Sequence, residues 1–155
     1  MFQGNNFSNF FIGQQFFHEQ HKTITEADLL EFCKLTMNCH PVHTNKKFAE
    51  QTVFGQRLVV GTYTLSLIVG ISVRDLSYNA IANLGYSNVD HLRPVFIGDT
   101  LMAKSFVMHK KVCGDNIRGI VKFETIGLNQ RNEEVIKLKR SILINIDENS
   151  SKELK

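Results

Sequence analysis

From Leu58 to Val73 the chain carries no charged residue and only small or hydroxyl-bearing breaks in an apolar run, Gly61, Thr62, Tyr63, Thr64, Ser66, Gly70 and Ser72. Such a segment has to be enclosed. It is too long for an ordinary strand, which rarely exceeds about ten residues, and too short to cross a bilayer, which takes about twenty. The remaining reading is one long helix, apolar nearly all round and wholly buried. The rest of the chain must then supply a wrapper.

The second half supplies it. In Val135 to Ile146, Ile136, Leu138, Ile142, Ile144 and Ile146 alternate with Lys137, Lys139, Ser141 and Asn145, with Arg140 the one interruption of the apolar side. That is the period of two of a half-buried strand. Val121 and Phe123 against Lys122 and Glu124 repeat it more weakly. Gly114-Asp-Asn and Asn129-Gln-Arg-Asn supply hairpin turns between consecutive strands. A buried helix covered by antiparallel strands is an α+β layout.

The first half reads as scaffolding around a turn. Residues 1–12 form a phenylalanine-rich arm that lacks the basic start of a signal peptide. Residues 13–23 contain a first strand. Thr25 is a helix N-cap followed by Glu26 and Asp28, acidic residues suited to the positive end of a helix dipole. Leu29, Phe32, Cys33 and Thr36 then fall on one helical face. Pro41 stops that helix, so Asn38 to His43 forms an ordered turn, with a short helix over 46–51 beyond it. The tail, 147–155, is polar and expected to fray. At 155 residues without an internal repeat, the chain is expected to form a single domain.

A net charge of +3 with scattered basic residues argues against a nucleic-acid binder, and no segment is expected to enter a membrane. Cys33, Cys39 and Cys113 have no zinc or CxxC spacing, so reduced thiols in a cytoplasmic protein are expected. No glycine-rich nucleotide loop is present. His18 and His21 make a poor metal site and read as an exposed strand end. Neither a metal nor a resident cofactor is expected.

Residues 35–49, Leu-Thr-Met-Asn-Cys-His-Pro-Val-His-Thr-Asn-Lys-Lys-Phe-Ala, resemble the hydratase motif of the MaoC-like (R)-specific enoyl-CoA hydratases and dehydratases. That motif runs a small residue, Gly, Asp, any residue, Asn, Pro, an apolar residue and His, with Ala or Ser six positions on. Thr36, Pro41, Val42, His43 and Ala49 fall in register. Met37 stands for the glycine, Asn38 for the aspartate and His40 for the asparagine. Phe54-Gly55, Leu58 to Gly61, Ala82 to Gly85 and Pro94-Val-Phe-Ile-Gly-Asp-Thr-Leu101 extend the likeness, which is closest to a mesaconyl-CoA-hydratase-like branch.

The resemblance implies a single hot-dog fold, a curved antiparallel sheet wrapped around one long central helix. It also implies a homodimer, with an acyl-CoA thioester at or near the interface, and water addition across the 2,3 double bond. Transferred position by position, His43 is the acid/base, Asn38 positions the water and the Gly61 amide is the oxyanion donor, with His40 a possible auxiliary. An imidazole suits proton exchange near neutrality, and an N–H at a helix start is already aimed at developing negative charge. An amide cannot be the base that an aspartate would be, although its carbonyl and NH₂ can hold a water. Two alternatives stay open: an acyl-CoA thioesterase, for which Glu26 and Asp28 are the nearby carboxylates, and a non-catalytic acyl-CoA-binding protein. Tyr63, Thr64 and Ser66 are expected in the core or an acyl pocket. His109 to Lys111, Lys137, Lys139 and Arg140 are expected on a solvated face or at CoA phosphates, and Cys39 as inert packing.

Overall fold

The computed structural model describes residues 4–146. The expected tail, 147–155, and the first residues of the arm lie outside them. A 3₁₀ turn at Phe7–Asn9 is followed by two short strands, β1 (Gln15–Phe17) and β2 (Lys22–Thr23). Helices α1 (Glu26–Leu35), α2 (Pro41–Thr44), α3 (Lys46–Glu50) and α4 (Gly61–Leu76) come next, then strands β3 (Ala80–His91), β4 (Thr100–Val112), β5 (Arg118–Leu128) and β6 (Glu134–Asn145). The sheet is antiparallel, in the order β1-β4-β5-β6-β3, with β2 also paired to β4.

The long apolar run does form the central helix, but three residues later than its apolar start. Leu58 bridges to Phe96 and the Val59 N–H donates to the Val95 carbonyl. That strand-like pairing holds the entering segment extended until Gly61. The helix then lies on the sheet, with Ile68 and Ile71 against Leu101, Ala103, Ile136 and Leu138. Contact is close enough that a Cβ on Gly127 of β5 would stand 2.8 Å from Ile68. Leu29 and Cys33 of α1 close the same core. A second cluster at the far end joins Leu76, Val107, Val121, Phe123, Ile142 and Ile144 to Phe7 and Phe10. The arm is therefore part of the core, because its aromatic rings fill the end that α4 leaves open.

Two expectations need correction. The helix is not wholly buried: Thr62, Ser66, Gly70 and Val73 form an exposed stripe at helical spacing. Beside it β3 is the sheet's edge and is exposed along nearly its whole length. The sheet curls over only one side of the helix, so small and hydroxyl residues face outward. His18 and His21 do not form an exposed strand end either. His21 is exposed, but His18 is buried, with Nδ1 2.6 Å from the Asp75 carboxylate and Nε2 2.9 Å from Ser105 Oγ. Ser105 in turn meets Thr125 at 2.8 Å. Arg140, the interruption in β6, points inward and donates to Ser72 Oγ of α4 at 3.2 Å. Buried polar groups need such partners, and these link helix to sheet across the apolar layer.

Candidate functional site

The turn after α1 is built from its caps. Thr25 accepts from the Asp28 N–H, while the Asp28 carboxylate accepts from the Thr25 N–H and hydroxyl. These hydrogen bonds, with help from Lys22, hold the Asp28 carboxyl down to about 2. Glu26 pairs with Arg57 at 2.6 Å. Both carboxylates thus have local structural work. At the other end the Thr36 hydroxyl donates to the Phe32 carbonyl, and the Asn38 N–H donates to the Cys33 carbonyl at 2.9 Å. Between them Met37 takes a left-handed φ of 56°. A glycine adopts this conformation without steric cost, which is the physical sense of the family's glycine there. Here a side chain bears the strain and projects into solvent.

Asn38 then turns the chain toward α2: its Oδ1 accepts from the His40 N–H at 3.2 Å. His40 is the N-cap of α2, its Nδ1 accepting from the Val42 N–H, and Pro41 takes the first helical position, where no N–H is needed. One turn of helix places His43 half-buried, with Nδ1 2.7 Å from the Leu58 carbonyl. A carbonyl can only accept, so Nδ1 carries the proton, and Nε2 of the neutral ring is left as a proton acceptor. The Leu58 N–H returns a bond to the Val42 carbonyl. The motif turn and the segment entering α4 are stitched together at Leu58.

Three residues beyond Leu58, α4 begins. Its N-cap, Val60, has no side chain able to cap, so the N–H groups of the first turn, Gly61 included, have no partner within the helix. They open beside a cavity of about 250 Å³, lined by Phe54, Leu58, Gly61, Thr64, His91 and Arg93 among others. Asn38 lines a separate surface depression with Leu30, Cys33, Met37, Cys39 and Thr44. Leu58 thus joins His43 to the cavity that Gly61 opens on, whereas Asn38 stands on a different recess. The His40 ring lies 5.9 Å from that of His43 and near Phe48.

The remaining candidates divide by burial. Tyr63 is buried and stacks on Phe32, with centroids 5.0 Å apart; Thr64 is buried at the cavity wall; Ser66 is exposed. Cys39 is exposed and free, so it is not packing. Lys137 pairs with Glu124 at 3.1 Å on the outward side of the sheet. Arg140 is internal and belongs to no such face. Among the described residues no cluster of three or more His, Cys, Asp or Glu side chains could hold a metal ion. Two cavity residues went unnoticed in the sequence, His91 and Arg93. Both sit in Asp-His-Leu-Arg-Pro, a stretch with no local motif; the only available signal was proximity to Pro94-Val95.

The MaoC like domain family matches residues 7–128. The chain is 31% identical over 141 residues to the mesaconyl-CoA hydratase of Cereibacter sphaeroides, covering 91% of this chain and 41% of that one. It is 30% identical over 141 residues to the β-methylmalyl-CoA dehydratase of Chloroflexus aurantiacus, covering 91% and 40%. The chain therefore spans about two fifths of the length of these relatives. Among solved structures, a monoamine oxidase regulatory protein from Archaeoglobus superposes with a TM-score of 0.84 at 33% identity, covering 95% of this chain and 99% of that one. A double hot-dog protein of Mycobacterium tuberculosis superposes at 0.85 with 16% identity, covering 94% and 45%, and shows the fold alone.

Proposed function

The chain belongs to the MaoC-like domain family and has its hot-dog fold, and from that premise we propose that it is a hydratase/dehydratase of enoyl-CoA thioesters, acting on short-chain or mesaconyl- and itaconyl-like acyl groups. The observation that carries the reading is the His43 Nδ1–Leu58 carbonyl bond at the entrance to α4. It leaves a proton-accepting Nε2 on a turn joined directly to the cavity at the Gly61 amide.

In the forward direction His43 Nε2 takes a proton from water as the oxygen bonds to C3 of the enone. The electrons of the double bond move toward the thioester carbonyl oxygen, which the Gly61 N–H stabilises. The imidazolium then returns the proton to C2. A positioned acid/base contributes roughly 10²–10⁴-fold and an oxyanion donor about 10²–10³-fold. Asn38 is assigned the positioning of the water. Its Oδ1 accepts from the His40 N–H, which leaves its NH₂ and one oxygen lone pair for the task, reached from a recess separate from the Gly61 cavity. His40 acts as a support for that turn. No resident metal or redox cofactor enters the scheme. The reading puts the protein in the cytoplasm, a reducing compartment that suits its three free cysteines.

The reading includes a homodimer, supported by the exposed β3 edge and the open stripe of α4, since an unpaired edge strand invites pairing with another. A monomer by light scattering would count against it. The activity is tested by incubation with crotonyl-, mesaconyl- and itaconyl-CoA. Loss of enone absorbance is the expected result. Release of free thiol would instead make the protein a thioesterase, and binding without turnover would make it a non-catalytic acyl-CoA binder.

A further inference from the structure

We propose that His91 is a second donor at the same site, hydrogen-bonding the thioester carbonyl oxygen beside the Gly61 amide. This rests on the hydratase reading. A Cβ built on Gly61 would lie 2.9 Å from His91 Nε2 and 3.0 Å from its Cε1. The imidazole edge that bears a titratable nitrogen is therefore packed on the first residue of α4. Glycine at 61 makes room for the ring, since a side chain there would displace His91 from the helix start.

The backbone that carries this exposed side chain is held from behind. His91 is the last residue of β3 and is in register with Ile136 of β6. The next two N–H groups, of Leu92 and Arg93, both point at the Val135 carbonyl, at 2.9 and 3.4 Å. Among the described residues neither ring nitrogen of His91 takes part in a hydrogen bond or ion pair. By contrast, both nitrogens of His18 are bonded and one of His43 is. An exposed, unengaged imidazole lying against a helix N-terminus, in a cavity that also takes Arg93, is arranged to meet negative charge.

The chemistry balances without a further proton. As water adds at C3, charge collects on the thioester oxygen, and the His91 N–H and the Gly61 N–H share it. The proton taken from water still passes through His43 to C2. His91 thus supplies electrostatic help on the carbonyl side of a site that lacks the motif's aspartate on the water side.

The test is crotonyl- and mesaconyl-CoA hydration by full-length His91→Phe and His91→Gln, with thermal midpoints and a His43→Ala control. Phe fills the ring's space without a donor, and Gln restores an N–H. His91→Phe is expected to lower kcat by about 10- to 100-fold, up to the lower end of the roughly 10²–10³-fold that one oxyanion donor supplies, because the Gly61 N–H remains, with KM changed less than about threefold; His91→Gln recovers part of the loss. A wild-type protein that hydrates both thioesters while His91→Phe keeps its kcat overturns the role of His91 and leaves the hydratase reading standing. Equal losses in both variants, with lowered midpoints, also overturn it, as a structural effect. A wild-type protein with no hydration of any enoyl-CoA overturns both.

Discussion

His18 and His43 are the same side chain in opposite circumstances. His18 lies between a carboxylate and a hydroxyl, Asp75 at 2.6 Å and Ser105 at 2.9 Å, an order of groups that elsewhere activates a serine nucleophile. Yet Ser105 is completely buried, Thr125 nearly so, and the hydroxyl is spent on Thr125. No substrate reaches it. His43 has a plainer setting, one nitrogen on the carbonyl of Leu58, a residue that lines the cavity, but it is half-buried and its other nitrogen is open. Access and a free lone pair, more than the presence of an acid and a hydroxyl, separate a site from a strut.

The sharpest way to break this contrast is to remove each ring. His43→Ala is expected to cost about 10²–10⁴-fold in kcat, read by the decay of crotonyl-CoA absorbance, with little change in thermal midpoint. His18→Ala is expected to do the reverse. It leaves Ser105 with Thr125 as its remaining partner and turns the partly exposed Asp75 carboxylate back to water. Losing a buried hydrogen-bonding ring costs about 1–3 kcal/mol, or roughly 2–4 °C of Tm per kcal/mol for a domain of this size. Activity per folded molecule should persist. A His18→Ala protein that melts normally but fails to turn over would reverse the assignment.

Acid sharpens the same distinction. Burial pushes the pKa of His18 below its ordinary 6.5, with Arg140 acting the same way; the Asp75 hydrogen bond and charge oppose the shift without cancelling it. The folded protein therefore binds fewer protons at His18 than the unfolded chain does. Its contribution to stability is fully present above pH 6.5 and is lost as pH falls from there toward the lowered folded value. Urea midpoints measured from pH 8 to pH 5 should decline below pH 6.5 in the wild type and decline less in His18→Gln. Parallel curves would show that the His18 network carries no proton linkage.

The comparison also shows which parts of the molecule the sequence made readable. The central helix was legible because no other element accommodates sixteen uncharged, mainly apolar residues from Leu58 to Val73, and β6 because a period of two is a local signal. The Asn38–His43 turn was legible through Pro41 and the caps on either side of it. His18 was not, since its partners lie 57 and 87 residues away. Strand β3 was obscured for another reason: Asn83, Gly85, Ser87 and Asn88 interrupt alternation, and its pairing with β6 shifts register three times. The exposed stripe of α4 did leave a mark, in Thr62, Ser66 and Gly70, but small residues suit a tight core equally well. His91 had no pattern at all; only the fold brings it back to Gly61.

The smallest expected effect concerns Asn38, and it decides how the site manages without the motif's carboxylate. Its Oδ1 is committed to the His40 N–H and its recess is not the one Gly61 opens on. If the residue only orients a water while His43 moves the protons, Asn38→Asp changes kcat by less than about tenfold, well short of the 10²–10⁴-fold that a new general base supplies. A carboxylate at 38 would keep the turn, because it accepts from the His40 N–H as the amide does. A rise of several hundredfold from a trace baseline would show that His43 had been waiting for a base, and that the wild-type chain binds its thioester more than it transforms it.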